Sequence, residues 1–455
     1  MRVDPAAILR LAAPLMLTNA IQTVLNLTDT WFIGRLSTAA LAAMSAIYWI
    51  VTCVILVLGG VGLSVQTFVS QARGARRPAH ASQAAWQALW ASLATVPLFL
   101  AIAYAGPWIL APFQLDAQLQ SLALDYWRPR MYGAALGSMS WALMSFYNGI
   151  GATRVTLLVA LVTMIANVPA NQWLIFERGL GIAGSAWGTN VAQLAGLLVA
   201  LAILLGRRHA RAYRTHLTWR PRWRLVREQL RVGLPIGVMY GGDVLGLALL
   251  QLMIARTGTV AAAATQLVIV LTSLAYMPTL GIATAGTTLV GQAIGAGSRD
   301  WAGRVGNVVI GLCVAQMLLI AVLLLLAGPW LLPWFLGSGD RDAAATVALA
   351  LTLLWPAAAY QAFDGLYFGS GFCMRAAGDT RVPMVVALLL SWGYFVPCAH
   401  MLVFAPGQGW VDGLPQAGRG ALGGWLALMS YAMLLGCAMF LRWRSGSWRA
   451  IELWR

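Results

Sequence analysis

The chain has 455 residues, 60% of them hydrophobic and 10% charged, a balance that excludes an ordinary soluble domain and points to an integral membrane protein. All 30 basic residues are arginine, so there is no lysine for a Walker A phosphate loop, a retinal Schiff base or a pyridoxal phosphate anchor. The net charge of +16 is scattered over short segments between apolar runs, which fits membrane orientation and argues against a nucleic-acid partner.

Twelve apolar runs are long enough to span a bilayer, at about 7–33, 44–70, 83–107, 121–147, 155–176, 183–206, 231–255, 262–290, 305–327, 344–373, 383–404 and 420–441. The first carries Asp29 and other polar residues without a small-residue cleavage site, so it reads as a retained span rather than a signal peptide. An even number of spans puts both termini on one side. If that side is the cytoplasm, 23 arginines lie inside, and Arg35, Arg128, Arg130, Arg178, Arg256, Arg341 and Arg419 lie outside. This asymmetry predicts cytoplasmic termini. Trp31, Trp108, Trp330, Trp334, Trp410 and Trp443 fall near run ends, where interfacial anchors sit.

In the first span Asn19, Gln22, Asn26 and Asp29 follow at steps of three, four and three, a polar stripe on one helix face that should line a cavity. In the fifth, Asn167 and Asn171 are one turn apart around Pro169, whose missing N–H frees a carbonyl. Between the sixth and seventh spans lies the longest polar segment, Arg207 to Arg227. It divides an amino-terminal lobe, residues 1–206, from a carboxy-terminal lobe, residues 228–455, and reads as a cytoplasmic connector held at the anionic leaflet. The seventh span contains Asp243, and in the tenth Tyr360 and Asp364 share a face at i,i+4.

Of the 14 acids, only Asp29, Asp243 and Asp364 lie well inside apolar runs. A charged side chain there costs about 2.5–3.5 kcal/mol on insertion scales, so each is a functional candidate. Carboxylate, phenol and amide oxygens suit a proton or a hard cation. Burial favours the protonated form of a carboxylate, whereas clustered oxygens make a sodium site, for which Asp243 and Asp364 are the candidate ligands. His400 reads as a packed residue rather than a proton relay. The five cysteines sit singly in apolar runs, so no disulfide is expected. No HExxH or GxSxG sequence occurs, and an intramembrane enzyme using Asp243 and Asp364 as an acid–base pair is the poorer reading.

The two halves repeat each other. At an offset of 221, Pro14 matches Pro235, Thr38 matches Thr259 and the VSQARGA from Val69 matches the VGQAIGA from Val290; at 227, Pro129 matches Pro356 and the GATRV from Gly151 matches the GDTRV from Gly378. Repeats with an even number of spans have the same orientation, so their axis should run along the membrane normal, with a substrate site between them near the midplane.

The stretches APLMLTNAIQTVLNLTDTWFIGRLSTAALAA at 13–43, NVPANQWLIF at 167–176, GLPIGVMYGGD at 233–243 and YQAFDGLYFGSGFCMRAAGDTRVP at 360–383 carry a resemblance to the MATE family, the multidrug and toxic compound extrusion transporters, in its NorM-like branch. The resemblance covers nearly the whole chain. It implies an all-α integral membrane fold of twelve transmembrane helices in two pseudo-symmetric six-helix lobes, in a bacterial inner membrane. It also implies a monomer without a cofactor that exports cationic amphiphilic drugs in exchange for Na+ or H+ by alternating access. Carried over, the family roles make Asp29 and Asn167 parts of the amino-terminal cation and drug cavity, to which the polar stripe of the first span adds Gln22 and Asn26. Asp29, Asn167, Asn171, Asp243, Tyr360 and Asp364 become the cation-coupling groups, with sodium favoured. One departure is Asp243, where the branch usually has a longer glutamate. A lipid-linked oligosaccharide flippase of the related superfamily is a poorer reading, because it calls for basic cavity residues and no arginine sits clearly mid-span in the amino-terminal lobe.

Overall fold

A computed structural model describes residues 3–111, 116–335, 342–411 and 413–453. In a bilayer every backbone N–H and C=O must be satisfied within the chain, and the apolar runs meet this by forming helices. These are α1 (Pro5–Leu36), α2 (Thr38–Gly74), α3 (Pro78–Tyr104), α4 (117–149), α5 (Thr153–Glu177), α6 (Gly181–Leu205), α7 (Trp223–Ala255), α8 (Thr259–Gly295), α9 (Arg299–Leu331), α10 (Ala343–Ala377), α11 (Arg381–Val403) and α12 (Gly420–Arg444). Eleven are long and apolar enough to cross a membrane. The twelfth, α4, is two segments, Ala117–Tyr132 and Ala134–Gly149, because Pro129 removes a helical donor just before Gly133. Wider, π-type turns end α5 at Gln172–Glu177 and interrupt α11 at Leu389–Phe395.

The repeat is visible in the packing where the lobes meet. Gln71 Nε2 of α2 donates to the Ala376 carbonyl at 2.8 Å, and its counterpart Gln292 Nε2 of α8 donates to the Gly149 carbonyl at 3.0 Å. One turn earlier, Thr67 Oγ1 donates to the Arg375 carbonyl at 2.9 Å and Thr288 Oγ1 to the Asn148 carbonyl at 2.8 Å. Donors 221 residues apart thus find acceptors 227 residues apart, as the two sequence offsets require. A Cβ on Gly74 would fall on the Gln292 carbonyl, and one on Gly295 on the Gln71 carbonyl, so α2 and α8 touch backbone to backbone there.

The connector between the lobes is fastened to α3 rather than free. After a short helix, Arg207–Tyr213, it takes hydrogen bonds from Ser82 Oγ to the Tyr213 carbonyl (2.7 Å), Trp86 Nε1 to the Thr215 carbonyl (2.9 Å) and Gln87 Nε2 to the Arg220 carbonyl (2.9 Å). Trp31, Trp108, Trp330 and Trp410 are exposed, as anchors are. Trp443 is not: it is 3% exposed, stacks on Trp448 with ring centroids 4.5 Å apart, and donates to Asn307 Oδ1. The side chain of Trp334 and all of Arg341 lie outside the described residues.

Gly74→Ala and Gly295→Ala should each force the lobes apart at this end. Spin labels on Ala75 and Ala296 are expected to report a longer distance in either variant than in the parent protein; an unchanged distance would show that the crossing absorbs a methyl group.

Candidate functional site

Three cavities reached by the interior aspartates lie within and between the lobes. The amino-terminal one, 280 Å³, is lined by Gln22, Asn26 and Asp29 of α1 together with Tyr48, Arg130 and Trp141 among others. Asp29 is held from behind. Its Oδ1 accepts from Asn167 Nδ2 at 3.0 Å and from Asn171 Nδ2 at 2.6 Å, and its Oδ2 accepts from Thr189 Oγ1 at 3.1 Å. Asn171 Nδ2 also reaches Asn167 Oδ1 at 3.1 Å, which ties the two amides into one unit on α5. A Cβ on Gly188 of α6 would meet the Asn171 amide, so this glycine makes room for the network. Asn167 and Asn171 are fully buried and do not line the cavity. Asn167, expected as a cavity residue, instead positions Asp29.

The position of Arg130 corrects the sequence reading, which counted it among the outer arginines and found none clearly mid-span in this lobe. It lies on the first segment of α4, in the wall of the cavity that contains Asp29. The residue falls within the fourth apolar run, 121–147, and the helix continues through it.

The carboxy-terminal cavity, 230 Å³, gathers Asp243 of α7 and Asp364 and Tyr360 of α10. Asp243 Oδ1 accepts from Tyr431 OH at 2.8 Å and Oδ2 from Tyr367 OH at 2.9 Å. Asp364 Oδ2 accepts from Tyr276 OH at 2.6 Å. Tyr360 shares the cavity but stacks on Trp425, with ring centroids 6.5 Å apart. Tyr276, Tyr367 and Tyr431 were missed in the sequence. Their one signal was that a tyrosine inside an apolar run must find a partner for its hydroxyl. Trp49, Phe368, Phe395 and Trp425 complete an aromatic wall, and among the described residues no arginine lines this cavity.

Between the lobes a third cavity, 460 Å³, is bounded by Gln22, Trp141 and Met144 on one side and by Asp243, Tyr367 and Arg375 on the other. Gln22 also lines the amino-terminal cavity and Asp243 the carboxy-terminal one, so the three adjoin. Arg375 Nη2 donates to Gln66 Oε1 across the interface at 3.0 Å. His400 is buried and accepts from the Trp410 and Val411 backbone N–H groups at 2.9 and 3.2 Å, a structural role in an inter-helical loop.

The MatE family model matches residues 14–173 and 235–399. The chain is 33% identical over 441 residues to "Probable multidrug resistance protein NorM" of Burkholderia pseudomallei (strain K96243), covering 96% of this chain and 91% of that protein. It is 32% identical over 444 residues to "Multidrug resistance protein NorM" of Burkholderia vietnamiensis, with 96% and 92% covered. Among solved structures, "Outward-facing conformation of a multidrug resistance MATE family transporter of the MOP superfamily" superimposes with a TM-score of 0.84 at 20% identity, covering 99% of this chain and 98% of that one. A MATE in complex with MaL6 gives a TM-score of 0.85 at 19% identity, with 99% and 98% covered.

Asn171→Leu deletes the closest donor to Asp29 and unties Asn167. Leaving a buried acceptor unsatisfied costs about 1–3 kcal/mol, so a clear fall in Tm of the solubilised protein is expected, with a smaller fall for Thr189→Val. Equal Tm values for Asn171→Leu and the parent would mean that Asp29 finds other donors.

Proposed function

As the chain belongs to the MatE family, we propose that it is a multidrug efflux antiporter of the bacterial cytoplasmic membrane, exporting cationic amphiphiles in exchange for inward-moving Na+ by alternating access of its two lobes. The family is one of transporters, and the chain is a transporter rather than an enzyme. The observation that carries the reading is the carboxy-terminal cavity: two aspartates, an aromatic wall and no basic residue in its lining. Such a cavity attracts a lipophilic cation by charge and by ring faces. The same carboxylates can hold the coupling ion. A phenol that gives its proton to a carboxylate keeps its own lone pairs, so Tyr276, Tyr367 and Tyr431 add hard oxygen ligands beside Asp243 and Asp364. Ion and drug then compete for one set of charges, and each alters the affinity of the other by the same factor. Asp29 with Asn167 and Asn171 forms a second polar centre that the lobe motion can rearrange. The protein acts as a monomer and needs no cofactor.

Arg130 removes one objection to a flippase of lipid-linked oligosaccharides. A pyrophosphate, however, carries several charges, and a single guanidinium facing a carboxylate does not neutralise them. The paired-aspartate enzyme is disfavoured because Asp243 and Asp364 take their hydrogen bonds from different tyrosines.

In proteoliposomes at equal pH on both sides, a sodium gradient directed against a cationic dye should accelerate dye efflux. Asp364→Asn, which keeps shape but not charge, should abolish the acceleration, and Asp243→Asn should reduce it less severely. Acceleration by a pH gradient alone, with no response to sodium, would replace Na+ by H+. For orientation, the exposed Leu217 in the basic connector is the probe. In a cysteine-free background, Leu217→Cys should resist an impermeant thiol reagent in intact cells and react in inverted vesicles; the opposite pattern would invert the topology.

A further inference from the structure

We propose that the segment after α12, residues 447–453, is a strap that runs from the carboxy-terminal lobe onto the amino-terminal one and holds the lobes together on the face that carries the connector. This rests on the efflux reading only for the parting of the lobes on that face.

The base of the strap is fixed to its own lobe. α12 ends at Arg444, and Gly446, at φ +72°, turns the chain back into the short helical turn Ser447–Ala450, a left-handed conformation that glycine adopts without strain. Trp448 is buried, stacks on Trp443 with the ring planes 3° apart, and donates from Nε1 to the Trp443 carbonyl at 3.0 Å. A Cβ on Gly306 of α9 would fall on the Trp443 ring, so α9 makes room for the stacked pair. Arg449 Nη1 donates to Asp300 Oδ1 of α9 at 3.0 Å. These contacts all lie within the carboxy-terminal lobe, and they fix where the chain leaves it.

The tip reaches across. Ile451, Glu452 and Leu453 stand between two cavities, one of 480 Å³ bounded by Gln71 and Arg77 of the amino-terminal lobe and Gly295 and Arg299 of the other, and one of 370 Å³ bounded by Arg231, Val232 and Arg442. Leu453 is partly buried and packs against a hydrophobic cluster built mainly from α2, α3 and α4, which Val232 and Ile236 of α7 complete. It also covers Gly378, where a Cβ would come within 2.9 Å of Leu453 Cδ2; at the equivalent glycine of the first lobe, Gly151, the one atom within 4 Å is Leu11 Cδ1 at 3.9 Å. The strap's charge does not bridge the lobes. Glu452 Oε1 is 3.9 Å from Arg299 Nη2, both side chains are about half exposed, and Arg299 belongs to the strap's own lobe. The apolar tip does bridge them. Beside it α2 and α8 cross backbone to backbone at Gly74 and Gly295, with no side chains interlocked at the closest approach. With its base on one lobe and its tip on the other lobe's cluster, the strap must give up the Leu453 contact before this crossing can part. Loosening the tip and opening the face therefore favour each other by the same factor.

The test reads how often that face opens. Ser70 of α2 is fully buried against Gly291 of α8, so a thiol there is reached only when the lobes part. In a cysteine-free background of the full-length protein in lipid nanodiscs, the rate at which Ser70→Cys reacts with a water-soluble maleimide is measured. Ser185→Cys, fully buried on α6 within the amino-terminal lobe, controls for general loosening. Leu453→Asp, and a chain ending at Ala450, should each raise the Ser70→Cys rate about fivefold or more, the size expected when a partly buried leucine contact is lost, with the Ser185→Cys rate unchanged. Leu453→Met should react like the parent, and Glu452→Gln should change the rate by less than about twofold. An unchanged Ser70→Cys rate in Leu453→Asp, equal acceleration at Ser70→Cys and Ser185→Cys, or an effect of Glu452→Gln as large as that of Leu453→Asp would each overturn the proposal. Sodium-driven dye efflux by the parent in proteoliposomes is read separately. No efflux, with the strap variants still accelerating Ser70→Cys labelling, would overturn the efflux reading and leave the strap standing; efflux with labelling indifferent to the strap would do the reverse.

Discussion

A polar group in a bilayer has only the chain itself to satisfy it, and this constraint shapes both the fold and its functional centres. Each of the three interior aspartates is met by side chains from other helices: Asp29 of α1 by α5 and α6, Asp243 of α7 by α10 and α12, Asp364 of α10 by α8. These bonds make each carboxylate a junction between helices. A change at the carboxylate, whether by ion, proton or drug, must therefore disturb the packing of at least two helices.

The two lobes share an architecture and differ in charge. By the repeat offsets Gln22 stands where the second lobe has Asp243, and Gly137 where it has Asp364; conversely Leu250 stands at the position of Asp29. All six line the cavity of their own lobe. The equivalent positions face a cavity in both lobes but carry different charges: two carboxylates among tyrosines on one side, a carboxylate among amides with an arginine on the other. The symmetry is most exact at the Gln71/Gln292 and Thr67/Thr288 contacts, where equivalent bonds run from each lobe to the other.

The three cavities share lining residues. Gln22 faces both the amino-terminal and the central space, and Asp243 both the central and the carboxy-terminal one. Trp141 and Met144 likewise line both the amino-terminal and the central cavity. Arg375, bonded to Gln66 across the interface, keeps a second fixed positive charge at that crossing.

The sequence by itself determined the membrane class, the twelve spans, the internal repeat and the three acids, because hydrophobic run length, the rarity of intramembrane charge and fixed repeat offsets are properties of the chain read in one dimension. It also placed Asn167 and Asn171 on one helix face, since that follows from helical period alone. What it could not determine was which side chains from distant helices meet. Tyr276 and Tyr431 lie 88 and 188 residues from the aspartates they serve, and nothing local distinguishes them from tyrosines packed in a core. Arg130 counted as an outer arginine because it lies near the start of its run, and only the packing of α4 turns the guanidinium toward the cavity of Asp29. Asn167 looked like a cavity residue but stands behind Asp29, since only the tertiary packing of α1, α5 and α6 decides which of two polar neighbours faces the open space.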